Sequence, residues 1–124
     1  MSRPRVVAEK EEQLPLTPAM FHVLLALADG EKHGYAILKE VERRTDGKVR
    51  LSAGTLYGII KRLNGEGWIV ELNKRPAARL DDERRRYYRL TDVGRQVAVT
   101  EAKRLEELLE MARNKNLFKK PELA

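Results

Sequence analysis

The chain has 124 residues, room for one compact core and not for two. It carries no cysteine, so a disulfide framework, a thiolate metal site and a cysteine nucleophile are excluded. Lys and Arg number 25 against 19 Asp and Glu, a net charge of +6 that serves solubility and also suits a polyanionic partner.

Met1 to Pro15 is charged, bears proline and has no sustained apolar period, and reads as an N-terminal arm, residues 1–15. Thr17-Pro18 then pairs a hydroxyl cap with proline at the first helical position, a helix start. Leu16, Met20, Val23, Leu24 and Leu27 recur at helical spacing along one stripe, and Asp29-Gly30 stops the helix. The longest apolar run, Val23 to Ala28, is too short to cross a bilayer, and no hydrophobic leader precedes it. The expected compartment is the cytoplasm, with no membrane partner.

A second helix starts near His33-Gly34 and runs to Arg44 or Thr45, with Ile37, Leu38 and Val41 inward, until Asp46-Gly47 ends it. His33 is a helix-start residue. His22 is the only other histidine and no ligand spacing links the two, so no metal site is expected. Leu51-Ser52 opens a third helix with Ser52 as its cap. At about 100° per residue, Leu56, Ile59, Ile60 and Leu63 gather on one side of it. Gly54, Thr55, Tyr57, Gly58, Lys61, Arg62 and Asn64 occupy the other side, small and polar at its start and basic further on. Gly65 and Gly67 close the helix.

Trp68 to Leu72 and Arg85 to Leu90 read as two short strands, with Trp68, Tyr88 and Leu90 in the core. The segment between them, Asn73 to Arg84, is polar and charged, so the pair forms a hairpin whose tip projects into solvent. From Asn73 to Arg95, eight basic residues stand against four acidic ones, a local excess that points to nucleic acid. The acidic triplet Asp81-Asp82-Glu83 reads as a solvated loop or a partner for nearby arginines rather than a metal site. Thr91-Asp92 caps a last helix running to about Arg113. Along it Ala98, Ala102, Leu105, Leu109 and Ala112 alternate steps of four and three, a heptad-like seam that Leu108 and Met111 widen.

Three helices, a hairpin and a final helix outline a winged helix-turn-helix, mainly α with a small β-hairpin. Residues 16–90 form the DNA-binding unit, 91–113 the C-terminal dimerisation helix and 114–124 a tail.

Four blocks carry a resemblance. His33-Gly34-Tyr35-Ala36-Ile37, Leu51 to Tyr57, Arg62-Leu63 with Glu66-Gly67-Trp68-Ile69, and Arg84 to Thr91 with Gly94-Arg95 resemble, in order and spacing, the signature of the PadR family of transcriptional regulators. The similarity spans Leu16 to Arg95, about two thirds of the chain. Gly58 departs from the pattern, which commonly has proline there. The single C-terminal helix is similar to the family's short members.

The resemblance implies a DNA-binding repressor acting as a homodimer on a palindromic operator. A short chain lacks a separate sensor domain, so any small-molecule effector would sit at the dimer interface. A helix laid in the major groove needs an outer face free of bulky apolar groups. Ser52, Gly54, Thr55, Tyr57, Lys61 and Arg62 are therefore the expected reader residues, and Arg84, Arg85 and Arg86 the expected wing contacts. Strand alternation sends Arg84 and Arg86 to one face and Arg85 to the other. Tyr35 either packs under the reader helix or offers its hydroxyl to a phosphate. The dimerisation residues are Ala98, Ala102, Leu105, Leu108, Leu109 and Ala112.

Plainer readings stand beside these. A polar outer face belongs to any surface helix, arginines protect strand edges, and the seam could pack on the chain's own first helix. The alternative function is a winged-helix module that binds protein without reading DNA sequence. An enzyme is not expected, since no nucleophile has a base at recognisable spacing and no glycine motif cradles phosphate. No cofactor is expected.

Overall fold

The computed structural model describes residues 16–72 and 86–118. The N-terminal arm, the hairpin loop with Asp81 to Glu83, Arg84 and Arg85, and the last residues of the tail lie outside the described residues.

Helix α1 (Pro18–Ala26) begins where Met20 N–H donates to Thr17 Oγ1 at 3.1 Å. Pro18, with no N–H to satisfy, takes its first position. The helix ends at Ala26, before the expected Asp29-Gly30 stop. Leu27 and Ala28 donate to carbonyls three residues back, which tightens the last turn. Helices α2 (Gly34–Arg44), α3 (Ala53–Gly65) and α4 (Asp92–Asn114) open on the side chains of His33, Ser52 and Thr91, each of which accepts a backbone N–H of the first turn.

All three of those helices end alike. Gly47 N–H reaches back to Glu42 O at 2.8 Å, Trp68 N–H to Leu63 O at 3.0 Å and Leu117 N–H to Ala112 O at 3.1 Å. These six-to-one bonds satisfy carbonyls that a helix end leaves open. Between α2 and α3, Thr45 Oγ1 donates to Val41 O and accepts Val49 N–H at 3.0 Å, so one hydroxyl shapes the turn.

Among the described residues the sheet has three antiparallel strands rather than two. Its order is β1 (Lys32–His33), β3 (Tyr87–Leu90), β2 (Ile69–Leu72), with β3 in the middle. Tyr87 pairs with His33 on one side and Leu72 on the other. Strand β2 starts one residue later than expected, leaving Trp68 buried just before it. The expected two-stranded hairpin lacked β1, because a two-residue strand is too short to show alternation.

The core gathers around α1, which packs against α2, α3 and α4. Val23, Leu24 and Leu27 meet Ile37 and Val41 of α2, Leu56 and Leu63 of α3, and Trp68, Ile69 and Tyr88 of the sheet region in one buried cluster. Each fully buried Leu, Ile or Val contributes about 1.5–3 kcal/mol relative to exposure.

The start of α4 is bolted to the junction of α3 and β2. Thr91 N–H donates to Trp68 O at 3.0 Å, and the Thr91 hydroxyl donates to Gly67 O at 2.6 Å while accepting Gly94 N–H. Gly94 lies so close to the Trp68 backbone that a Cβ there would overlap the carbonyl. Val97 and Glu101 continue the inward face of α4.

Candidate nucleic-acid interface

Helix α3 divides as its sequence implies, with one change. Leu56, Ile60 and Leu63 are buried, and Ile59 is half-buried against the core. Gly54, Thr55, Gly58, Lys61, Arg62 and Asn64 are exposed. Among the described residues, nothing lies within 4 Å of where a Cβ would stand on Gly54 or Gly58. Internal packing therefore does not require glycine at either position, and the helix backbone is open to a close neighbour from outside.

Tyr57 corrects the expected outer face: it is half-buried and packs against the core. It stands about 100° from Leu56, on the flank of the helix rather than opposite its apolar side. Gly34, at the start of α2, makes room for it. A Cβ on Gly34 would come within 2.5 Å of the Tyr57 hydroxyl. The contact seats the beginning of α2 beside α3. Ser52 and Thr55 are exposed at the head of α3, where Ser52 Oγ accepts Thr55 N–H at 3.1 Å and donates to Thr55 Oγ1 at 3.0 Å.

Tyr35 resolves toward exposure, at 48% of its surface. Lys39, one helical turn on, places its Nζ 5.4 Å from the Tyr35 ring centroid. Lys39 was not among the expected site residues, although its i,i+4 spacing from Tyr35 was the available signal. Arg86 is exposed just before β3, its Nε 3.8 Å from Glu71 Oε2 across the hairpin. A surface pair of this kind holds little energy, so Arg86 can exchange it for another anion.

Helix α4 separates into two stretches. Gly94, Val97 and Glu101 face the core, and Ala98, expected in the seam, packs against this chain's own core. The offset arises because α1 covers the first turns of α4. Beyond it Ala102 is exposed, as are Leu105 at 40%, Leu108 at 47%, Leu109 at 43% and Met111 at 60%. Ala112 is half-buried where its carbonyl receives Leu117 N–H.

Away from α3, neighbouring cations lower the carboxyl groups of Glu101 and Asp29 below their ordinary range. The Arg104 guanidinium donates two bonds to buried Glu101, at 2.8 and 2.7 Å. With help from Leu16 N–H, those bonds hold the Glu101 carboxyl below the usual range against the opposing effect of burial. Lys32 likewise lowers exposed Asp29. A groove of about 820 Å³ beside α2 mixes Lys32, Lys39, Arg43 and Arg50 with Glu40, Glu42 and Asp46, so its charges largely cancel. Among the described residues, no group of His, Asp or Glu could hold a metal ion, and no helix is long and apolar enough to cross a membrane.

An open, basic, glycine-bearing helix next to a strand pair is the arrangement of a winged-helix reader, and the sequence comparisons bear on it directly. Residues 23–99 match the profile described as the transcriptional regulator PadR-like family. The chain belongs to that family. This PadR-like regulator is 36% identical over 87 residues to the transcriptional regulator Rv3488 of Mycobacterium tuberculosis, covering 70% of the present chain and 75% of the relative. Its fold is similar to that of a transcriptional regulator from Clostridium thermocellum, with a TM-score of 0.61, 28% identity and coverage of 82% and 92% of the two chains. It is also similar in fold to Bacillus subtilis PadR, whose structure is a complex with operator DNA. There the TM-score is 0.56 at 18% identity, over 87% of this chain and 51% of that longer one. Members of the family are transcriptional regulators and not enzymes, which is what the missing catalytic constellation led the sequence to imply.

Proposed function

We propose that this PadR-like regulator represses transcription from the cytoplasm by binding a palindromic operator as a homodimer, with the open face of α3 in the major groove of each half-site. The observation that carries the reading is the open space over Gly54 and Gly58, flanked by exposed Lys61 and Arg62. Small residues let the helix backbone approach base edges, and the cations beyond them meet phosphates or guanine. The head of α3 also presents backbone N–H groups beside Ser52 and Thr55, a favourable place for a phosphate.

Tyr35 is exposed on α2, the helix whose Gly34 lies against Tyr57 of α3, and in this reading its hydroxyl, with Lys39 beside its ring, meets the backbone of one strand. Tyr57 supports the helix from its flank. Arg86, exposed just before β3, supplies a wing contact, with Arg84 and Arg85 the further candidates that the sequence offers. The exposed leucines of α4 form the dimer seam from Ala102 to Ala112, and a flat effector would enter between the two copies of that seam. The operator complex of Bacillus subtilis PadR supports the DNA reading at the level of fold.

The test is selection of bound duplexes from a random-sequence pool, followed by titration of wild type and a Lys61→Ala, Arg62→Ala double variant. Wild type should enrich an inverted repeat. The double variant should keep its fold and mass and bind with a salt slope shallower by about 3.6, since a dimer then leaves four phosphates unneutralised. Enrichment of no sequence, or an unchanged slope, would overturn the reading.

A further inference from the structure

One imidazole touches both halves of the proposed reader. His33 Nδ1 accepts Ala36 N–H at 3.1 Å and so caps α2. The same ring makes a T-shaped contact with Tyr87, with centroids 5.4 Å apart and planes at 85°. His33 and Tyr87 are also register partners between β1 and β3. On one side, then, His33 is fixed to the helix whose Gly34 seats Tyr57 of α3. On the other, it is fixed to the strand residue that follows Arg86.

We infer that His33 is a positioning residue that sets Arg86, through Tyr87, relative to the reader helix. A serine, aspartate or asparagine would cap α2 as well as histidine does. None of them could also bring a ring against Tyr87, a contact of directional preference. The two functions are separable by substitution. His33→Asn keeps an acceptor where Nδ1 stands and removes the ring. His33→Phe keeps the ring and removes the acceptor.

The inference rests on the DNA-binding reading, and a double-mutant cycle separates their failures. The probe is the best-bound duplex from the random-sequence selection, titrated across salt concentrations with the full chain. In the native background, Arg86→Ala should make the salt slope shallower by about 1.8, one phosphate per wing in a dimer. In the His33→Asn background that decrement should shrink to less than half, although the melting temperature stays near that of wild type. In the His33→Phe background the decrement should persist, although the melting temperature falls with removal of the cap. A merely structural His33 would give the reverse order, binding following stability. A full decrement in His33→Asn overturns the positioning role alone. No decrement in the native background overturns it together with the phosphate contact at Arg86.

Discussion

Gly58 sits mid-helix with open space above it, in a place where alanine would ordinarily be the better residue. Exposed helix interiors favour alanine over glycine by about 1 kcal/mol. Gly58→Ala should therefore raise the melting temperature while weakening operator binding about tenfold, the steric cost of one methyl at a close interface. Thermal melts and gel shifts on the same preparations decide it. A stabilised variant with undiminished binding would remove Gly58 from the contact surface. Residue by residue, the α3 face was legible because period and side-chain size agreed. Tyr57 was not, since a residue on the flank of a helical wheel goes in or out according to its neighbour. That neighbour is Gly34, more than twenty residues away in sequence. Arg86 was legible as a basic residue, but its pairing with Glu71 depends on strand register, which the two short strands did not specify.

At the scale of elements, the helices declared themselves through their ends. Thr17, His33, Ser52 and Thr91 cap four helices from the positions the sequence suggested. Strand β1 left no such trace, because its pairing to β3 is written in Tyr87 and Tyr88 rather than in its own two residues. Helix α4 hides a further surprise in Glu101, buried although charged, and legible only once Leu16 and Arg104 are seen around it. Its carboxyl is lowered in the folded chain. The stability it contributes is therefore complete above the ordinary glutamate value of about 4.3 and lost as pH falls through the lower folded value. Urea unfolding between neutral pH and pH 3 should show wild type losing stability more steeply below that point than Glu101→Gln does. Parallel curves would mean that the Arg104 pair is not coupled to folding.

At the scale of the molecule, four large apolar side chains in sequence reach, Leu105, Leu108, Leu109 and Met111, stay exposed on a helix otherwise well anchored. Leu105→Glu with Leu109→Glu should leave the monomer folded, since neither residue belongs to its core. Association should weaken by at least two orders of magnitude, given an on-the-order-of 3 kcal/mol or greater cost of burying unpaired carboxylates. Sedimentation measures the mass and gel shift the accompanying loss of operator binding. Abolished DNA binding with dimer mass intact would count against the seam.

The wedge of Gly94 against the Trp68 backbone has a consequence outside the protein. With the start of α4 locked to the α3–β2 junction, two chains joined through α4, as proposed, would carry their reading heads as a rigid gauge. The gap between half-sites is then measured as well as recognised. Adding about five base pairs, half a turn of duplex, would swing one half-site to the far side of the helix and abolish tight binding. A full turn would restore the facing but stretch the span beyond the gauge.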